Sequence, residues 1–258
     1  MRIGILIAGH VPDELAPLHG DYGTMTARML GRIDPALVFE HYLVVDGRFP
    51  EDPDACDAWL ITGSRFGVYD PEPFIPRLEQ FVRDCFVAGR KVVGICFGHQ
   101  LIAHALGARV EKAEAGWGVG PHTYRTKDGS FTINAMHQDQ VLEVPKGATV
   151  IARSDFCPIA ALAYDDRALS FQGHPEFDNA YERDLVASRR TIRIPEEVAD
   201  PALAAIGEAE QAPDALTVAR RIVEFLKETP PGSDRATRGG SPGATRYRRS
   251  AADHRGTG

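Results

Sequence analysis

Cys96 has the most distinctive chemical setting in the chain. It stands in Val92-Val93-Gly94-Ile95-Cys96-Phe97-Gly98-His99-Gln100, where an apolar strand runs into a helix across a small-X-Cys-X-small turn. Glycines two residues to either side suit a sharp strand-to-helix turn that leaves no room for side chains. Such a turn lifts the sulfur above the sheet edge and sets it at the positive end of a helix, which favours thiolate over thiol. Cys56, Cys85 and Cys157 have no comparable context and read as core or near-surface residues.

A thiolate that opens an amide needs an imidazole to hold the ion pair and to protonate the leaving nitrogen. Among nine histidines, His174 is the best placed, in Ser170-Phe171-Gln172-Gly173-His174-Pro175-Glu176. It follows a strand and a glycine, and Glu176 two residues on can accept the second ring proton and fix the tautomer. A tetrahedral oxyanion also needs donors. The Phe97 amide is one candidate. The Ser64 amide is the other, with Gly63 permitting the turn after the apolar strand Leu60-Ile61-Thr62.

These residues require a scaffold of strand ends. Arg2 to Ala8, Phe39 to Val45, Asp57 to Thr62 and Lys91 to Ile95 read as strands, the nearly continuous apolar runs indicating parallel pairing buried on both faces. Tyr22 to Ile33, Phe74 to Ala88 and Phe97 to Leu106 read as helices, with Gly89 and Gly107 as stops. His10 to His19 is expected as an extended loop. The alternation predicts an α/β fold, an open, mostly parallel sheet flanked by helices. Phe131 to Ala135, Ala148 to Ala152, Ile159 to Tyr164 and Ala168 to Gln172 read as short strands forming a mixed or antiparallel extension of that sheet. Asn179 to Ile194 and Leu216 to Glu228 read as helices, joined by an Ala- and Glu-rich piece without clear boundaries.

One domain over residues 1–228 accommodates all of this, and 258 residues suffice for one substantial core. Residues 229–258 hold six arginines, two aspartates and almost no core formers, a composition expected of a disordered basic tail. That tail carries +4, leaving −11 on the rest of a chain whose net charge is −7. An acidic body argues against phosphate-backbone recognition, so no nucleic-acid partner is expected. No segment approaches 18 consecutive apolar residues, so no membrane span is expected either. Four dispersed cysteines without paired spacing fit a reducing, cytoplasmic setting and no metal site.

The elbow Gly94 to Gln100, the Thr62-Gly63-Ser64 turn and His174-Pro175-Glu176 together resemble the class I glutamine amidotransferases over about Met1 to Ile194. Longer stretches, Thr62-Gly63-Ser64-Arg65-Phe66, Val68-Tyr69-Asp70 and Gly116-Trp117-Gly118-Val119-Gly120, are most similar to stand-alone GMP-synthase-like members and plant γ-glutamyl peptidases. The resemblance implies a flavodoxin-like fold, a Cys96–His174–Glu176 triad and hydrolysis of the γ-amide of glutamine or a γ-glutamyl compound through a thioester, without cofactor. It implies that Gln100 organises the glutamine pocket and that His137 and Asp139 face substrate. His137 reads equally as an ordinary loop histidine, and Asp139 as a turn cap. Arg65 is either a cation at the pocket mouth or a solvent-facing residue, and Trp117 either walls the pocket or packs between turns. A separate ammonia-accepting synthetase is the partner such a chain would serve. The competing reading is an inactive amidotransferase scaffold that binds or regulates.

Overall fold

The computed structural model describes residues 1–207, 210 and 212–228; the basic tail expected at 229–258 lies outside them. The elements in chain order are β1 (Arg2–Leu6), α1 (Ala16–His19), α2 (Tyr22–Ile33), β2 (Val38–Tyr42), β3 (Ala58–Ile61), α3 (Phe74–Val87), β4 (Lys91–Ile95) and α4 (Phe97–Ala105). They continue with β5 (Val110–Lys112), β6 (Gly118–Thr126), β7 (Gly129–His137), β8 (Asp139–Val141), β9 (Thr149–Ala152), β10 (Ala161–Tyr164) and β11 (Ala168–Phe171). Three helices complete the series, α5 (Asn179–Arg189), α6 (Glu196–Ala205) and α7 (Ala215–Lys227).

Seven strands form one sheet in the order β2-β1-β3-β4-β11-β10-β9. The first five are mutually parallel, and β10 runs antiparallel between β11 and β9. Successive side chains of a strand point to opposite faces, which divides the core in two. Ile3, Ile5, Leu60, Val93 and Ile95 pack under Met29 and Leu30 of α2 and Ile222, Val223 and Leu226 of α7. Leu6, Trp59, Ile61 and Val92 face the other way, onto Leu78, Phe81 and Val82 of α3 and Leu101 and Ile102 of α4. Covering both faces explains why these strands are apolar throughout. Two helices are capped from the sequence: the carboxylate of Asp21 accepts from the Thr24 amide at 2.6 Å and that of Asp178 from the Tyr181 amide at 2.7 Å.

The structure corrects several expectations. Phe131 to Ala135 does not extend the sheet. It is part of β7, which pairs over nine residues with β6 as a separate antiparallel hairpin. Strand β6 escaped detection because Gly118, Gly120 and Pro121 look like turn residues, although Lys127-Asp128 before Gly129 is a two-residue hairpin loop. The helix expected through Ile194 ends at Arg189, and the Ala- and Glu-rich piece contains α6. The loop His10 to His19 closes with the single turn α1.

The hairpin docks on α5 through a buried carboxyl. Glu182 has no exposed surface, one oxygen accepts from the Gly120 amide at 3.1 Å, and the other has no hydrogen-bond partner among the described residues. Burial pushes this acid up to about 7, against the opposing charge of His174 and the Gly120 bond, with Glu176 adding to the rise. A carboxyl raised in the folded state binds more protons there than in the unfolded chain. Stability therefore falls as pH rises from the unfolded value near 4.5 through about 7. Glu182→Gln keeps the Gly120 acceptor and removes the titration. The variant is expected to be the more stable protein at pH 8, by up to ~3 kcal/mol, and level with the parent near pH 4.5. Urea denaturation at both pH values measures this, and equal stabilities at pH 8 would refute it.

Candidate active site

Strand β4 ends directly beneath Cys96, and α4 begins with Phe97. Cys96 adopts φ 51°, ψ −101°, a left-handed conformation costly for any residue with a side chain and found chiefly where neighbours impose it. The neighbours here are the two glycines. A Cβ on Gly94 would lie 2.5 Å from the Gly98 carbonyl, and one on Gly98 would lie 2.5 Å from the Ile61 carbonyl oxygen. Neither position admits a side chain, and their closeness presses the elbow against the end of β3.

His174 arrives from the end of β11, held by its backbone amide to the Asn134 carbonyl of β7 at 2.7 Å. The Asn134 side chain in turn donates to the Phe177 carbonyl at 3.2 Å and to Asn179 Oδ1 at 3.1 Å, fixing the segment that follows. The imidazole stacks on Phe177, with centroids 3.9 Å apart and planes 11° from parallel. Its Nδ1 is 2.8 Å from Glu176 Oε1, both side chains being almost wholly buried. Burial alone disfavours the imidazolium, but the charges of Glu176 and Cys96 outweigh it and hold His174 protonated well above the ordinary histidine range. Gly63 crosses in front of this pair. A Cβ there would meet His174 Cε1 at 2.8 Å and Cys96 Cβ at 3.8 Å.

Among the described residues, the amides of Phe97 and Ser64 have no backbone or side-chain acceptor. The first is in the opening turn of α4, where amides are unsatisfied by construction. The Ser64 hydroxyl is occupied, accepting from the Phe66 amide at 3.2 Å. The sulfur itself lies 3.7 Å from Gln172 Nε2 and 3.9 Å from the Met136 carbonyl oxygen. Gln172 is fully buried, and its Oε1 accepts from Gln100 Nε2 at 3.2 Å, which also donates to the Asp139 carbonyl at 2.9 Å. Gln100 thus joins α4 to β8. Sequence reasoning missed Gln172; its only signal is its place between an apolar strand and Gly173-His174.

A cleft of about 690 Å³ opens onto Cys96, His174, Gly63 and Ser64. Gln100, His137, Asp139, Arg65 and Trp117 also line it. His137 is buried, its Nδ1 donating to the Asp139 carbonyl at 3.1 Å, while Nε2 has no partner among the described residues. Burial drives it down to about 3, so it is a neutral ring with an open acceptor. Asp139 is half-buried, Oδ2 accepting from the Tyr69 hydroxyl at 2.9 Å, and burial raises its carboxyl. Arg65 is exposed, its guanidinium 4.9 Å from the Phe66 ring centroid. Trp117 lines the cleft and is partly buried against the apolar cluster that contains Val119 and Ile194.

A cysteine at a helix start, an imidazole charged by a buried carboxylate, and amides without acceptors at Phe97 and Ser64 are groups of the kind nucleophilic acyl transfer uses. The family model for glutamine amidotransferase class-I matches residues 53–192. The chain belongs to the class-I glutamine amidotransferases, a family of enzymes. Among its relatives, γ-glutamyl peptidase 2 of Arabidopsis thaliana is 30% identical over 233 residues, covering 84% of this chain and 92% of that protein. A putative glutamine amidotransferase-like protein of Schizosaccharomyces pombe is 30% identical over 248 residues, covering 88% of this chain and 99% of the relative. A GMP synthase of Thermus thermophilus is 36% identical, over 46% of this chain but 24% of the synthase. The fold matches that of a glutamine amidotransferase from Thermotoga maritima with a TM-score of 0.71 at 19% identity, over 88% of this chain and 99% of the other. No helix among the described residues is long and apolar enough to cross a membrane.

The Gln172 contact has a measurable consequence. A hydrogen bond to a charged group contributes roughly 1.5–3 kcal/mol, so Gln172→Leu is expected to slow alkylation of Cys96 by iodoacetamide at pH 7 about tenfold or more. Peptide-level mass spectrometry follows Cys96 apart from the three other thiols. Alkylation at the parent rate would remove Gln172 from the account of the sulfur.

Proposed function

We propose that the enzyme hydrolyses a γ-glutamyl amide bond, with Cys96 as nucleophile, His174 as general acid and base, and Glu176 as the group that orients and charges the imidazole. The thiolate attacks the γ-carbonyl carbon, and the electron pair moves onto oxygen, where the amides of Phe97 and Ser64 receive it. Collapse of this intermediate expels the amine, which takes the His174 proton, and leaves a γ-glutamyl thioester. Water, deprotonated by the now neutral His174, attacks the thioester; glutamate leaves, and the thiolate–imidazolium pair is restored. Gln172 donates to the sulfur in its anionic states, and Gln100, His137 and Asp139 present polar groups toward the glutamyl moiety. No step calls for a cofactor.

The observation that carries this reading is the buried His174–Glu176 pair at 2.8 Å beside Cys96 at the head of α4. An inactive scaffold has no need to hold a charged imidazole against burial. As to the fate of the amine, the chain matches nearly the whole of a γ-glutamyl peptidase but only a quarter of a GMP synthase. Free-standing hydrolysis is therefore preferred over ammonia delivery to a separate synthetase, in a cytoplasmic setting suited to free thiols.

Cys96→Ala is expected to lower hydrolysis of glutamine and of γ-glutamyl-alanine by at least about 10³-fold while leaving the circular dichroism spectrum and melting curve unchanged. The assay is run without any second protein. An alanine variant as active as the parent would exclude the thioester route.

A further inference from the structure

Three arginines fall within five residues at the end of α5, and the structure treats them differently. Arg190 is neutralised, its guanidinium bonding Asp200 at 2.6 and 3.1 Å and Glu196 at 2.9 Å. Arg189 and Arg193 line the cleft that opens onto Cys96, and among the described residues neither has an ion-pair or side-chain hydrogen-bond partner. Asp13 and Glu14 line the same cleft and, among the described residues, form no ion pair with either arginine.

The chain is bent to produce this pairing. After Arg189 the helix stops, and the amides of Ile192, Arg193 and Ile194 all turn back onto the Arg189 carbonyl at 2.9 to 3.1 Å. Thr191 sits at the bend with φ 63°, a conformation that costs a β-branched residue about 1–3 kcal/mol and persists only when its surroundings impose it. Ile194, wholly buried against Val186 and Ala199, anchors the return. The outcome sets Arg193 beside Arg189 on the cleft while satisfying the last helical carbonyl, so that carbonyl does not repel an arriving anion. Tyr22 lines the same cleft; burial raises its hydroxyl, the hydrogen bond with Tyr181 lowers it, Glu176 and Cys96 raise it further and Arg189 lowers it.

Two uncompensated guanidinium groups on a strained, anchored turn are a ready site for a carboxylate, which a guanidinium grips through paired hydrogen bonds. The cleft, at about 690 Å³, is of the size that takes drug-sized ligands and has room beyond a glutamyl group. On the basis of the hydrolase reading above, we propose that Arg189 and Arg193 bind the carboxylate of the leaving amine. The preferred substrates are then γ-glutamyl amino acids or peptides with a free carboxylate on the departing side, rather than glutamine or uncharged γ-glutamyl amines.

Two probes separate the departing side from the glutamyl side. γ-Glutamyl-alanine and γ-glutamyl-ethylamide share the glutamyl group and the scissile amide and differ in the departing carboxylate. The parent enzyme is expected to favour γ-glutamyl-alanine at least tenfold in kcat/KM. The Arg189→Ala/Arg193→Ala double variant is expected to raise KM for that substrate about tenfold to hundredfold, to leave kcat and all parameters for the ethylamide in place, and to regain most of the loss when both positions are Lys. Absence of preference in the parent, or equal losses on both substrates, would overturn the assignment. Calorimetric binding of γ-glutamyl-alanine to the Cys96→Ala protein, with and without the arginines, reads the same site without turnover. Weakened binding there supports the carboxylate site even where hydrolysis is absent and the catalytic reading fails, and unchanged binding refutes it even where hydrolysis is present.

Discussion

The structure turns on the contact between the ends of β3, β4 and α4. Gly94, Gly98 and the Ile61 carbonyl approach so closely that the chain at Cys96 has no alternative to its left-handed conformation. Much of the site follows from that constraint. The sulfur is raised at a helix start, Gly63 at the neighbouring strand end passes close to it, and His174 at the end of β11 faces both. Parallel strands make this convergence possible, because their carboxyl ends all open on one edge of the sheet. The strain at Cys96 is sustained by a core packed on both faces of that sheet.

What the residues reveal alone depends on whether the signal is local. The elbow is legible because its two glycines lie within two positions of Cys96 and the strand and helix on either side have clear periodicity. The His174–Glu176 pair is legible for the same reason, and the five parallel strands follow from their unbroken apolar runs. The hairpin is not, since β6 carries glycine and proline at positions where a two-stranded ribbon with an open edge tolerates them. Gln172 is not legible because a glutamine after a strand says nothing of a sulfur 76 residues earlier in the chain. Arg189 and Arg193 share a face under a helix extended through Ile194; the chain reaches the same juxtaposition by a tight turn that periodicity cannot represent.

The placement of charge separates two tasks. Near the sulfur, buried groups are either paired, as in His174 with Glu176, or kept neutral by burial, as with His137. Further out in the cleft, Arg65 on a loop and Arg189 and Arg193 at the end of α5 have no ion-pair partner among the described residues. Under the proposed function, chemistry falls to the sheet edge and selection among substrates to loop and helix-end segments whose residues can be exchanged with little effect on the core.

His99 shows how firmly that edge is fastened. It projects from α4 into the core, with Nδ1 2.8 Å from Ser170 Oγ on β11 and Nε2 3.1 Å from the Ile159 carbonyl oxygen. Burial holds it down to about 4, so across the neutral range this ring keeps one charge state and one set of bonds. The helix that begins after Cys96 and the strand that leads to His174 are therefore tied by a fastening that does not titrate in the neutral range. A change of rate between pH 5 and 9 therefore owes nothing to this tie; the buried carboxyl that does titrate in that range, Glu182, fastens the hairpin to α5 instead.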